Sequence, residues 1–105
     1  MRRIIDGKRY DTDTATMVAD ISPAGFYRND FRYEETKLYR TVRGAWFIAG
    51  EGGPLSRWSR SLGQNGMTDG EGLRPVDADE ARAYLEREGD THSIEQYFAD
   101  TVTDA

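Results

Sequence analysis

The sequence has no cysteine, and this absence excludes several kinds of chemistry. Without a thiol the chain has no disulfide framework, no thiolate nucleophile and no cysteine-ligated metal. A chain that needs no disulfide fits a reducing compartment. We therefore expect a cytoplasmic protein.

Histidine and long apolar runs are also scarce. His92 is the only imidazole, so a histidine metal site or a catalytic triad would need its other groups from scattered carboxylates and hydroxyls. No apolar run approaches the roughly 20 residues of a membrane span. The basic start "MRRII" has too short an apolar part for a signal peptide. We expect a soluble protein that makes no membrane contact.

What is present is enough for one core. The 105 residues include two Trp, six Tyr and four Phe, which is consistent with a single folded domain over residues 1–105. The net charge of −5 is unevenly distributed: residues 28–60 hold seven basic and four acidic side chains, whereas residues 61–105 hold three basic and eleven acidic ones. Such an asymmetry can steer association with an oppositely charged partner, although a solvated acidic helix face would have the same composition.

The order of patterns predicts an α+β fold, with a small antiparallel sheet and about three helices packed mainly on one face. Asp6-Gly7 is a hairpin signal, and the aromatic and β-branched residues from Phe31 to Gly50 predict the centre of the sheet. Helices are predicted near residues 13–21, 78–88 and 93–102 from apolar spacing and capping residues. The predicted core contains Ile5, Val18, Leu38, Phe47, Leu85, Ile94 and Phe98.

The register of the central hairpin depends on its turn. With Arg43 and Gly44 as a two-residue loop, Thr41 faces Trp46, and both faces of the hairpin carry apolar residues. A bulge at Gly44 would change this register. The glycine-rich segment from Gly50 to Gly72 predicts a loop around one short strand or helical turn.

Three segments together resemble a known family. GKRYDTDTA, LYRTVRGAWFIAGEGGPLSR and LRPVDADEARAYLE, in this order and spacing, resemble short bacterial proteins of phages, plasmids and integrated mobile elements, from about Ile4 to Glu86. The resemblance implies no activity, cofactor or catalytic residue, only the mobile-element setting. Small proteins of that setting are often inhibitors of host defence, such as anti-CRISPR proteins, which bind a host complex and block it.

Arginine and tryptophan in the middle of the chain form the candidate partner-binding site. These residue types are the most enriched at interface hot spots and can also stack on nucleic-acid bases. For Trp58, set in "SRWSR", both an exposed and a buried position stay open. The predicted site consists of Arg40, Arg43, Arg57, Trp58 and Arg60.

The acids of the C-terminal part form a second candidate surface, for a basic partner. The run "GEGG" lacks the Lys-Ser or Lys-Thr of a phosphate-binding loop, and Glu51, Asp69 and Glu71 lack calcium-loop spacing. We therefore expect no enzyme, no metal and no cofactor. The predicted acidic face consists of Asp77, Asp79, Glu80, Glu86 and Glu88.

Two functional hypotheses follow. The first is a non-catalytic interaction protein that blocks a host protein or ribonucleoprotein complex. The alternative is a small nucleic-acid-binding protein that uses the same arginines. The alternative is less favoured because phosphate binding depends on positive charge, and the chain is acidic. The oligomeric state cannot be predicted from these patterns.

Overall fold

A four-stranded antiparallel sheet forms the centre of the computed structural model, which describes all residues from 1 to 105. Two short 3-10 turns lie at Gly63–Asn65 and Ala99–Thr101. In chain order the strands and helices are β1 (Arg2–Ile5), β2 (Lys8–Asp11), β3 (Thr16–Asp20), β4 (Glu34–Arg40), β5 (Trp46–Gly52), β6 (Arg60–Ser61), β7 (Met67–Thr68), β8 (Gly70–Val76), α1 (Ala78–Arg87) and α2 (Thr91–Tyr97).

The central sheet has the order β3-β4-β5-β8, while β1–β2 and β6–β7 are separate hairpins. The fold is thus α+β with antiparallel pairing, as predicted, but it has two α-helices instead of about three. Neither helix has the length and apolar character that would let it span a bilayer.

The sheet buries apolar side chains on both faces. On one face, the helices pack on β3, β4 and β5 through a cluster that contains Leu38, Ile48 and Leu85. On the other face, Phe47 packs with Tyr10 of the β1–β2 hairpin, at 5.6 Å between ring centroids. The predicted core residues all belong to these clusters or pack against them, but Ile5 and Phe47 lie on the opposite face from the other five.

The first hairpin has the turn that the sequence predicts. Ile5 pairs with Lys8, and both turn residues have positive φ, 51° at Asp6 and 75° at Gly7. Positive φ at both positions defines the turn whose twist matches that of two paired strands, and glycine adopts it without steric cost.

The prediction of a helix near residues 13–21 is wrong, because Thr16–Asp20 is strand β3. The pairing with β4 has a bulge between Met17 and Ala19, so the consecutive residues Val18 and Ala19 both pack on the helical-face cluster. A bulge places an extra residue on one strand and disturbs the strict alternation of side chains. The apolar spacing that resembled a helix is therefore produced by a bulged strand.

The turn of the central hairpin is not the two-residue loop Arg43-Gly44. It has the bulge at Gly44 that was predicted as the alternative, and the strand register differs accordingly. The amide of Gly44 donates to the Thr41 carbonyl at 2.9 Å, and the amide of Thr41 donates to the Ala45 carbonyl at 2.8 Å. Gly44 has a φ of 89°, which is typical of the bulged three-residue hairpin loop. Trp46 consequently pairs with Arg40 and not with Thr41, although both faces of the hairpin are apolar as expected.

The glycine-rich segment and the two helices differ in part from their predictions. The segment from Gly50 to Gly72, predicted as a loop around one short strand or helical turn, contains the end of β5, the β6–β7 hairpin and the start of β8. Helix α1 begins as predicted, with the Asp77 carboxylate accepting the Glu80 amide at 2.8 Å. The last predicted helix, 93–102, is shorter: α2 ends at Tyr97, and Phe98 adopts a non-helical conformation before the 3-10 turn.

Candidate functional site

The five residues of the predicted arginine and tryptophan site lie in two separate places. Arg40 pairs with Trp46 at the turn end of the β4–β5 hairpin, whereas Glu34 pairs with Gly52 at the other end, from which the chain continues to Arg57. Six residues of extended strand span about 20 Å at ~3.4 Å per residue. The structure therefore does not bring Arg40 and Arg43 together with Arg57, Trp58 and Arg60.

At the turn end, Arg40 stabilises the contact between the sheet and α2. Its guanidinium lies 5.6 Å from the Trp46 ring centroid and 5.1 Å from that of Tyr97. The Nε atom is buried without a hydrogen-bond partner. Arg43, in contrast, is exposed in the turn and has no carboxylate within 4 Å.

At the other end, Trp58 is half-buried and lies flat on the central sheet. A methyl group added to Gly72 would lie 2.6 Å from Trp58 Cε3, and one added to Gly50 would lie 2.9 Å from Trp58 Nε1. These glycines leave the space that the indole ring fills. The indole N–H donates to Thr36 Oγ1 at 2.8 Å, so Trp58 is fixed to the sheet at both its ring face and its polar atom.

An ion pair with a buried carboxylate continues this contact. The Thr36 hydroxyl donates to Glu34 Oε2 at 2.6 Å, and Arg57 Nε lies 2.7 Å from the same oxygen. The Arg57 amide donates to Glu34 Oε1 at 3.2 Å. The Glu34 side chain is only 5% exposed and that of Arg57 is 28% exposed. A carboxylate so far removed from water needs such partners, and together they hold residues 56–58 against β4.

The hydrogen bonds extend to α1 and use part of the predicted acidic face. Arg57 Nη1 donates to the Tyr84 hydroxyl at 3.2 Å, and that hydroxyl donates to Glu80 Oε2 at 3.1 Å. Arg74 Nη2 also donates to Glu80 Oε2, at 2.7 Å. This hydrogen bond from the Arg74 guanidinium is the main reason why the pKa of Glu80 lies below its usual value.

The other predicted acids differ in their surroundings. Asp77 caps α1, and Glu86 lies 3.4 Å from Arg82 Nε. Asp79 and Glu88 are exposed and have no basic partner within 4 Å. The acidic face is thus partly neutralised within the chain, and only two of its five members are free for an external cation.

Sequence reasoning missed a group of large apolar side chains on the loops beside Trp58. Tyr27, Phe31 and Leu55 are 83%, 67% and 65% exposed. They lie in two loops, residues 26–33 and 53–56, which we call the loop platform. The heptapeptide "GFYRNDF" is the signal that could have indicated it, because three aromatic residues stand there in a segment with Gly and Asn.

Backbone hydrogen bonds hold the two loops of the platform together. The Leu55 amide donates to the Phe31 carbonyl at 2.8 Å, and the Gly53 amide donates to the Tyr33 carbonyl at 2.8 Å. A methyl group added to Gly53 would lie 2.6 Å from the Phe31 carbonyl oxygen, so only glycine permits this approach. The Arg32 guanidinium also donates two hydrogen bonds to the Asp30 carboxylate, at 3.0 and 2.9 Å. The exposed side chains are therefore presented on a restrained backbone.

An open cleft of about 900 Å³ adjoins the platform and is lined by both signs of charge. Three arginines, Arg3, Arg28 and Arg60, line it together with four carboxylates, which belong to Asp30, Glu51, Asp69 and Glu71. Glu51 and Glu71 are direct cross-strand partners, and Arg28 lies 4.0 Å from Glu51. The structure contains no group of three or more His, Cys, Asp and Glu side chains arranged to hold a metal ion, and His92 is exposed on α2.

Comparison of the chain with protein-family models, curated proteins and solved structures finds no match.

Proposed function

We propose that the chain is a non-catalytic protein-binding module whose loop platform contacts the partner. The observation that carries this proposal is the exposure of Tyr27, Phe31 and Leu55 on loops that backbone hydrogen bonds restrain. Large solvent-exposed aromatic and aliphatic side chains on adjacent loops are typical of interaction sites. A restrained backbone adds affinity because less conformational entropy is lost on binding.

The arginines beside the platform have two different roles in this proposal. Arg57 acts from within, since its ion pair with Glu34 positions the loop that follows Leu55. Arg28 and Arg60 lie on the cleft and can contact carboxylates at the rim of an interface. The partner is a host protein or ribonucleoprotein complex, and the resemblance to mobile-element proteins favours a defence complex that the module blocks.

The structure argues against Trp58 as a base-stacking residue in the alternative hypothesis of a nucleic-acid-binding protein. Trp58 was a candidate for stacking on bases, but its ring lies against Gly50 and Gly72 and its N–H is bound to Thr36. A ring covered on one face by the sheet is a poor platform for successive bases. Arg57 is likewise engaged by Glu34.

The proposal is tested by capturing host proteins from a bacterial lysate and then measuring affinity for the purified partner. Changing Phe31 and Leu55 together to Ser should weaken binding by about 100-fold or more, because each hot-spot side chain contributes roughly 2 kcal/mol. The matched control is Val42→Ser, which removes an 88% exposed apolar side chain from the distant turn.

Full binding by the double variant, or equal loss in the Val42 variant, would contradict the proposal. Self-association of the unmodified chain through the platform, detected by sedimentation, would also contradict it. Circular dichroism of both variants shows whether the fold is retained, which we expect since the substituted side chains are exposed.

A further inference from the structure

The β1–β2 hairpin concentrates positive charge in a chain that is otherwise strongly acidic. Its four basic side chains, all exposed, belong to Arg2, Arg3, Lys8 and Arg9. None of them has a carboxylate within 4 Å, whereas six of the other basic residues do. Since the whole chain has a net charge of −5, the rest of the molecule is more acidic than this total.

The pairing of the strands determines which side chains face outward. Ile5 and Tyr10 pack on the central sheet, so the face that they share is the inner one. Ile4 pairs with Arg9 and lies on the other face, together with Arg2. The outer face of the hairpin therefore has two arginines and Asp11 beside Ile4, which is 68% exposed.

The two acids of the hairpin form no ion pair with its basic side chains. Asp6 belongs to the tight turn, where its φ is 51°. Asp11 pairs with Arg2 across the strands, but its carboxylate accepts the Asp13 amide at 2.9 Å and forms no ion pair with an arginine. The basic side chains are thus left free to bind an external anion.

We propose that the outer face of the β1–β2 hairpin binds the phosphate backbone of duplex DNA. Arginine binds phosphate through two parallel hydrogen bonds, and exposed, unpaired cations contribute to binding by releasing the counterions of the polyanion. A two-stranded β-ribbon is one of the elements that the major groove admits. The acidic remainder of the chain would be repelled, so only the hairpin side can approach the DNA.

The outer face shares no residue with the loop platform, although Arg3 on the inner face lines the cleft beside the platform, so the two proposals can fail separately. The platform carries apolar side chains and the hairpin carries cations. The proposed partner of the platform is a protein, whereas that of the hairpin is a nucleic acid. If both proposals hold, the module contacts a protein–DNA complex through two surfaces.

The experiment measures anisotropy of a fluorescent 20-base-pair duplex of random sequence at several KCl concentrations. We expect binding at low salt that weakens as salt rises, with a slope of about −2 in log K against log[KCl], because the two arginines of the outer face contact about two phosphates. Changing Arg2 and Arg9 together to Gln should weaken binding at least about tenfold and reduce the slope by roughly two.

The matched control removes the same charge elsewhere, by changing Arg43 and Arg87 to Gln. Both are exposed and lack a carboxylate within 4 Å, and we expect less than about a twofold change because a screened distant charge contributes little. No binding at low salt, equal loss in the control, or a slope unchanged by the hairpin substitutions would overturn the proposal. Displacement of the duplex by poly-glutamate as readily as by unlabelled duplex would also overturn it, because it would indicate a site for any polyanion.

Discussion

Trp58 shows how one side chain can combine the properties of an interface anchor and a core residue. Its type and its neighbouring arginines are typical of hot spots, yet Gly50 and Gly72 leave space for the ring on the sheet. Sequence reasoning could not decide between the two, because these glycines belong to different strands. Only the pairing of β5 with β8, in which Gly50 lies beside Gly72, brings the two glycines under one indole.

We predict that Trp58→Ala destabilises the fold. The ring is half-buried, so the loss should be about 2–4 kcal/mol, below the range of fully buried tryptophans. Trp58→Phe keeps most of the ring contact but leaves Thr36 Oγ1 without its donor, and should cost about 1–2 kcal/mol. Urea denaturation measures both variants.

The size of the stability loss in Trp58→Ala decides whether the ring belongs to the core. A loss below about 1 kcal/mol for Trp58→Ala would mean that the ring contributes little to the fold. Unchanged stability of Trp58→Ala would indicate that Trp58 is an exposed residue available for partner binding. Thr36→Val serves as the reciprocal variant, because it removes the acceptor of the indole and a donor to Glu34 at once.

Among the elements, those with clear local signals were predicted, whereas β3 and the contact between the two platform loops were not. The Asp6-Gly7 turn and the start of α1 at Asp77 depend on neighbouring residues, and both were confirmed. Strand β3 was missed because its bulge imitates helical spacing, and because pairing with β4 overrides local preference. The loop platform was missed since its exposure depends on how two loops meet.

The contact between α1 and β8 is predicted to depend on pH. Arg74 lowers the pKa of Glu80 in the folded chain, so the unfolded chain binds more protons in the acidic range. The contribution of this pair is therefore present above the usual pKa of glutamate, about 4.3, and is lost as the pH falls through the lower folded value.

Urea denaturation between pH 6 and pH 3, a window about the usual glutamate pKa, measures this dependence. Glu80→Gln should be less stable than the unmodified chain at the upper end, with a difference that shrinks toward the lower end. Because the Glu80 side chain is 36% exposed, the difference should stay under about 1 kcal/mol. A difference that is constant over this range would contradict the assignment.

At the scale of the whole molecule, stability is concentrated in the central sheet. The chain measures 50 × 35 × 21 Å, with the two small hairpins outside the four-stranded sheet. Phe47 and Ile48 of β5 are fully buried, and β5 is hydrogen-bonded to strands on both sides. In contrast, β6–β7 has only two residues in each strand.

Amide hydrogen exchange should reproduce this distribution. We expect the slowest exchange for the amides of β4 and β5, and exchange at least about 100-fold faster for β1–β2 and β6–β7, which can open without unfolding the sheet. Mass spectrometry of peptides, or NMR of single amides, makes the measurement. Equal protection of Leu38 and Ser61 would show that the chain opens only as one unit.

The bulge in β3 has a consequence for how copies of this chain behave at high concentration. An exposed strand edge offers unpaired amides and carbonyls to another chain, which is the first step of sheet-to-sheet aggregation. At one edge of the sheet the bulge between Met17 and Ala19 interrupts the regular row of these groups. At the other edge, Pro75 of β8 has no N–H to donate. Both borders of the sheet therefore resist the addition of a further strand, and fibril growth from the folded state is disfavoured.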